Sequence, residues 1–203
     1  MYKNIIDYYM MANNLKNVVR IGWKEVGIPK ERIESVADHI YGTMVLALGI
    51  IEEKKLDLDV AKVFKMILVK EFSKAYTNRE QSAISGANAE KVKEYTEIVL
   101  GHLANSSDLL SIFDEYESRA NEEAKFVYKV SKLESDLQAK IYEKSGDFTV
   151  ENAREDIKNY PEDIKNSITE IKHASDGWLA FDRTYYEDDE FFMNFSKEIE
   201  EME

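Results

Sequence analysis

Apolar residues return at helical spacing along almost the whole chain, and no segment combines strand-like alternation with hairpin turn signals. A first helix is predicted over Lys3 to Val19, followed by a loop holding Gly22, Gly27 and Pro29. Ser35 has the chemistry of an N-cap, and a second helix runs from it to about Lys54, its buried stripe marked by Val36, Ile40, Met44, Ala47 and Ile51. Asp59 caps a third, through Val63, Ile67 and Phe72 to about Tyr76, and a polar loop spans about Thr77 to Ser85. A fourth helix carries Val92, Tyr95, Val99 and Leu103. A fifth starts at Ser107 or Asp108 and carries Leu110, Phe113 and Tyr116. A long helix from Asn121 to about Glu143 presents Phe126, Val130, Leu133, Leu137 and Ile141, and Gly146 ends it.

From Phe148 the character changes: aliphatic residues thin out, Pro161 intervenes, and an aromatic, acidic stretch follows. Residues 187 to 203 hold eight acidic side chains against the single Lys197, which suits a solvated terminal helix docked through Phe191, Phe192, Phe195 and Ile199. The sharper reading of the same stretch is a partner-binding or dimer-forming helix. The expected organisation is therefore an all-α core over residues 1–146, with a C-terminal helical extension over 147–203 packed on it.

With 203 residues, 44% of them hydrophobic and only two prolines, the chain is long enough to bury one good core. Its formal charge of -13 argues against nucleic acid or an anionic membrane as a partner, though a local basic pocket for one small phosphate ester remains compatible with it. The chain has no cysteine, which removes thiolate nucleophiles, disulfides and Cys-ligated metal. The longest apolar-rich segment, Met44 to Ile51, is too short for a membrane span, and the N-terminal stretch lacks a signal-peptide pattern. A cytoplasmic protein is expected.

The three histidines, His39, His102 and His173, lie far apart, and none belongs to an HExxH-type pair. Nucleophile-elbow, phosphate-loop and dinucleotide motifs are all missing from the sequence. His102 sits near a helix end and His173 in the tail, both with structural roles expected.

Around His39 the pattern becomes specific. R-x-G-W at Arg20, Gly22 and Trp23, E-S-V-A-D-H at 34–39, L-V followed by A-Y-T between 68 and 77, and the segment DEYESRANEEAKFVYKVSKLESDLQAKIYE occur in that order. Over about residues 15 to 143 this resembles the HD-domain superfamily of metal-dependent phosphohydrolases, in the branch of the 5'-deoxynucleotidases. The resemblance implies a helical bundle holding one divalent metal between a His, a His-Asp doublet and a distant Asp. Such a metal acidifies a bound water that attacks a nucleoside monophosphate.

Carried over position by position, the first His is His39. The His-Asp doublet falls on Lys70-Glu71, the acid three residues later on Lys74, and the distant Asp on Ser131. Ala75-Tyr76-Thr77 matches the next motif, but Asn78 and Arg79 fill its last two positions. An ammonium in place of an imidazole repels a divalent cation, and a serine hydroxyl is a poor replacement for a carboxylate. If any metal binds, His39 and Glu71 are the ligands the motif retains. The resemblance places substrate-binding groups at Arg20 and Trp23, and Lys70, Lys74 and Arg79 add positive charge near them; against this, Arg20 pairing locally and Trp23 lying in the core fit the residues equally well.

Three readings follow. The first is an HD-type protein with its metal site and hydrolysis lost and no cofactor, retaining a pocket for a phosphate ester or nucleotide. The second is an active phosphohydrolase whose ligand set is rebuilt from His39, Glu71 and acids such as Asp38 or Glu134, with Mn, Co, Zn or Mg. The third is a non-catalytic interaction module working through a homodimer face or the acidic tail.

Overall fold

The computed structural model describes residues 2–77, 89–168 and 171–202. Arg79 and nearly all of the expected polar loop lie outside the described residues. Among the described residues the chain is helical throughout, with one isolated antiparallel bridge, Val19 to Ser35, and no strand. The α-helices are α1 (Tyr2–Ala12), α2 (Ile21–Glu25), α3 (Val36–Lys54), α4 (Val60–Val69), α5 (Phe72–Thr77), α6 (Ala89–Leu100), α7 (Ser107–Ser118), α8 (Glu122–Ser145), α9 (Val150–Asp156), α10 (Glu162–Ser167), α11 (Asp176–Arg183) and α12 (Glu190–Glu200). None is long and apolar enough to cross a membrane. The all-α expectation holds.

The capping chemistry appears where the sequence puts it. The Ser35 hydroxyl accepts the Asp38 N–H at 3.1 Å, and the Asp38 carboxylate accepts the Ser35 N–H at 2.8 Å, closing a capping box at the start of α3. The Asp59 carboxylate accepts the Lys62 N–H at 3.0 Å and opens α4. Other elements differ. The first helix stops at Ala12 and gives way to a 3-10 turn over Asn13–Lys16, and the expected loop after it contains the short α2. The expected third helix is broken at Lys70 and Glu71, where the α pattern narrows and the Glu71 N–H turns to the Leu68 carbonyl at 3.4 Å. In α8, Ile141 is exposed and Tyr142 is buried in its stead, because the inward line drifts around the helix over its length.

The chain forms two compact units, one of Met1–Ile21 with Glu34–Val130 and one of Gly22–Ile33 with Ser131–Glu203. The line between them passes through α8, after Val130, whereas the sequence expectation draws it after residue 146. Residues 22–33 fall with the C-terminal half because Trp23, Val26 and Ile28 share one core with Ala139, Tyr142, Phe148, Ala153 and Ala174. Trp23 stacks on Trp178 with ring centroids 4.1 Å apart, and the Tyr142 hydroxyl donates to the Arg32 carbonyl at 3.0 Å. A Cβ on Gly22 would lie 3.1 Å from the Trp178 ring, which would have to give by a few tenths of an ångström to admit it. In the first unit, Val63, Met66 and Ile67 of α4 and Phe72 and Ala75 of α5 are buried, together with Val36, Ile40 and Ala47 of α3.

Candidate functional site

The cluster that carries chemistry lies in the first unit and is assembled from three pieces of backbone. The capping box fixes the first turn of α3 and sets His39 on its inner side, where it is 3% exposed. The junction between α4 and α5 holds Lys70 and Glu71, both of whose side chains are buried there. The pairing of Val19 with Ser35 brings in Arg20, whose N–H donates to the Glu34 carbonyl at 3.1 Å.

These groups touch one another. The Lys70 ammonium donates to Glu71 Oε1 and lies 3.5 Å from His39 Nε2. With Nε2 accepting, the His39 proton sits on Nδ1. Lys74, one helical turn on from Glu71, approaches its other carboxylate oxygen at 2.6 Å, and His39 Nε2 stands 3.9 Å from Glu71 Oε1. Arg20 Nη1 donates to Glu34 Oε1 at 2.7 Å. Three cations, Arg20, Lys70 and Lys74, thus pair with two carboxylates, Glu34 and Glu71, beside a buried imidazole.

The protonation states follow from this arrangement. Burial lowers His39 well below its ordinary value, and the Arg20 and Lys70 cations lower it further, so the ring is neutral at neutral pH. Burial on its own would raise Glu71, but the Lys70 and Lys74 ammonium groups overcome it and hold the carboxyl well below the usual range. Lys70 is lowered by burial and partly restored by Glu71. From α7, Glu117 joins the same field: burial raises its carboxyl, with Arg119 and Lys70 opposing. Arg119 closes this flank, its guanidinium 4.5 Å from the Tyr116 ring centroid and 3.9 Å from that of Tyr128.

The structure therefore brings together Arg20, His39, Lys70, Glu71 and Lys74 of the residues singled out in the sequence. Trp23 is fully buried in the core of the second unit. Ser131, 7% exposed on α8, also belongs to that unit, and its carbonyl accepts the Ser135 hydroxyl at 3.2 Å. Asp38 is occupied as a capping residue, Glu134 is buried on α8, and His173 pairs with Glu143 at 3.4 Å in the second unit. Sequence reasoning passed over Glu34 and Glu117 as members of the cluster. The signals for them were present in the E-S-V-A-D-H and E-Y-E segments, read there only as parts of a resemblance.

Comparison with known proteins agrees with the helical fold. The chain is 28% identical over 148 residues to the 5'-deoxynucleotidase HDDC2 of Bos taurus, covering 70% of this chain and 69% of that protein. It is similar to the solved structure of a conserved hypothetical protein from Pyrococcus furiosus, with TM-score 0.59 and 27% identity over 70% of this chain and 86% of that one. The fold is shared along nearly the full length with the PH0347 protein of Pyrococcus horikoshii, at TM-score 0.61 and 22% identity over 97% and 99% of the two chains. The model of the HD domain family matches residues 12–172, and the chain belongs to that family.

Proposed function

We propose that this HD-family chain binds a phosphate monoester of the nucleoside monophosphate class at the cluster of Arg20, Lys70 and Lys74, without metal-dependent hydrolysis. The reading rests above all on the Lys70 ammonium, which stands between His39 Nε2 at 3.5 Å and the Glu71 carboxylate.

A divalent cation held by the two ligands that the motif retains, His39 and Glu71, does not fit while Lys70 is charged; His39 also stands within 4.8 Å of a Glu34 carboxylate oxygen, and a metal held there is the outcome that metal analysis must exclude. At about 4 Å and an effective dielectric constant near 20, an ammonium and a divalent ion repel by about 8 kcal/mol. Lys74 adds to the same repulsion from the other side of Glu71. The same charges suit a phosphate dianion. Lys74 retains 31% side-chain exposure and Arg20 retains 19%, so both are placed to share an incoming anion with their present carboxylate partners. Similarity to a 5'-deoxynucleotidase favours a nucleotide over a bare phosphate as the occupant.

The test combines metal analysis with ligand titration. Purified protein dialysed against Mn, Co and Zn is expected to carry well under one metal per chain, to bind 2'-deoxyadenosine 5'-monophosphate calorimetrically in the presence of EDTA, and to release no phosphate from it. Lys74→Ala should weaken that binding at least about 10-fold, the loss of one charge-assisted hydrogen bond. The combined variant Lys70→His, Glu71→Asp, Ser131→Asp, which restores the family motif, should gain metal. One tightly held metal per wild-type chain with turnover of the nucleotide would overturn the proposal in favour of a rebuilt hydrolase site. Absence of both metal and nucleotide binding would overturn it in favour of an interaction module.

A further inference from the structure

Arg20 and Glu34 are held side by side by the main chain before their side chains meet. Around the Val19 to Ser35 bridge the Arg20 N–H donates to the Glu34 carbonyl at 3.1 Å and the Val36 N–H donates to the Val18 carbonyl at 2.7 Å. The side chains then pair, Arg20 Nη1 donating to Glu34 Oε1 at 2.7 Å, with the Glu34 side chain nearly covered at 8% exposure and that of Arg20 partly open at 19%. An ion pair so far removed from water repays little beyond its own desolvation, so the fold does not need this charge once the backbone has brought the two residues together. The Glu34 carboxylate also reaches within 4.8 Å of a His39 ring nitrogen, at the buried end of the cluster.

We propose, on the reading of Arg20, Lys70 and Lys74 as a phosphate site, that Glu34 is an internal competitor for the phosphate: its carboxylate occupies an Arg20 donor that an incoming phosphate oxygen would take, keeps the empty site closed and sets how tightly the ligand is held. A carboxylate oxygen and a phosphate oxygen ask the same of a guanidinium, a charge-assisted N–H at about 2.8 Å, so each mimics the other there. A phosphate seated on the remaining donors of Arg20 would stand within about 5 Å of the Glu34 carboxylate, where the two anions repel by several times the thermal energy at an effective dielectric constant near 20. Glu71 is placed differently. Two ammonium groups, Lys70 and Lys74, answer its charge, and Lys74, at 31% exposure, can turn another of its N–H donors to a ligand. The contact that a phosphate must win is the one between Arg20 and Glu34.

Calorimetric titration with 2'-deoxyadenosine 5'-monophosphate in EDTA compares the wild type with Glu34→Gln, whose amide oxygen still accepts from Arg20 Nη1 but carries no charge. The variant should keep the helicity of the wild type and bind the nucleotide at least about 10-fold more tightly, a gain that damage to the fold does not produce. Equal or weaker binding by a folded Glu34→Gln, with the wild type binding, overturns the inference and leaves the phosphate site standing, Glu34 then serving only to position Arg20. Binding by neither protein overturns the phosphate reading itself, and the competition with it. Binding by the variant alone supports the inference and marks a wild-type site that Glu34 keeps shut. Where Glu34→Gln does not fold, Glu34→Asp, which draws the carboxylate back from Nη1 by one methylene, should bind about threefold more tightly than the wild type, and no gain there overturns the inference.

Discussion

Replacing Lys70 by methionine keeps the length of the side chain and removes its charge. Glu71 is 5% exposed and held as a carboxylate chiefly by the Lys70 and Lys74 ammonium groups, so the change leaves a buried anion with Lys74 as its nearer remaining cation. Breaking a buried pair from one side costs about 3–5 kcal/mol. Lys74, 2.6 Å away but partly exposed, recovers some of this, and about 3 kcal/mol is the expected loss at pH 8. For a chain of this size that corresponds to a fall in Tm of about 6–12 °C.

The companion variant Glu71→Gln and the double variant complete a cycle. Removing both charges together should cost far less than the two single changes combined, with a coupling of about 2–4 kcal/mol. The pH dependence carries a sign. In the wild type the depressed Glu71 carboxyl contributes stability that is present above the unfolded carboxylate range and is lost only as pH falls through the lower folded value. In Lys70→Met the burial that raises Glu71 is no longer overcome, so the deficit should shrink as pH falls from 8 towards 6 and the carboxyl takes up a proton. Urea denaturation followed by far-UV circular dichroism measures all four corners. A single change costing under about 1 kcal/mol, or one costing the same with and without Glu71→Gln, would refute a buried and charged pair.

Two further predictions use the pH dependence of single groups. His39 is lowered in the folded chain by burial and by Arg20 and Lys70, so unfolding gains a proton and stability falls as pH drops below about 6.5; His39→Gln should flatten the urea-denaturation slope between pH 6.5 and about 5. Asp136, fully buried, accepts the Tyr186 hydroxyl and is raised by burial and by the Asp182 charge. Its contribution is present at low pH and lost as pH rises through the raised value, so Asp136→Asn should remove that decline. Fluorescence of Trp23 and Trp178, both in the second unit, reads this change locally, and an unaltered profile would show that Asp136 does not titrate there.

What was legible in the sequence is what depends on neighbours along the chain. Ser35 and Asp59 announce their helices by local capping chemistry, and the α3 and α4 stripes follow from periodicity. The break at Lys70 and Glu71 was missed because Val63, Met66, Val69 and Phe72, all buried, keep a three-residue spacing straight across it. The pairing of Arg20 with Glu34 depends on chain segments meeting at Val19 and Ser35, which no local pattern encodes. Along α8, Ser135, Asp136 and Lys140 are buried, and a binary pattern assigns such residues to solvent. They are tolerated inside because each finds a partner: Ser135 the Ser131 carbonyl, Asp136 the Tyr186 hydroxyl, and Lys140 the Glu143 carboxylate at 2.9 Å.

The energetics of the first unit bear on why its charges persist. Desolvating Lys70 and Glu71 side by side gains little over an apolar pair of the same volume, and often loses. Stability alone would favour leucine or methionine at both positions. The cluster keeps three cations instead, with a neutral imidazole at its inner edge. On the proposed reading an anionic ligand supplies the missing term, because each cation that contacts it would regain the solvation lost on burial. A ligand present at about 100 times its dissociation constant would stabilise the fold by about 2.7 kcal/mol, comparable to the deficit that Lys70→Met is expected to create. On the proposed reading the charges that displaced the metal are therefore the binding site for the anion, and the stability they withhold from the empty protein returns when the phosphate binds.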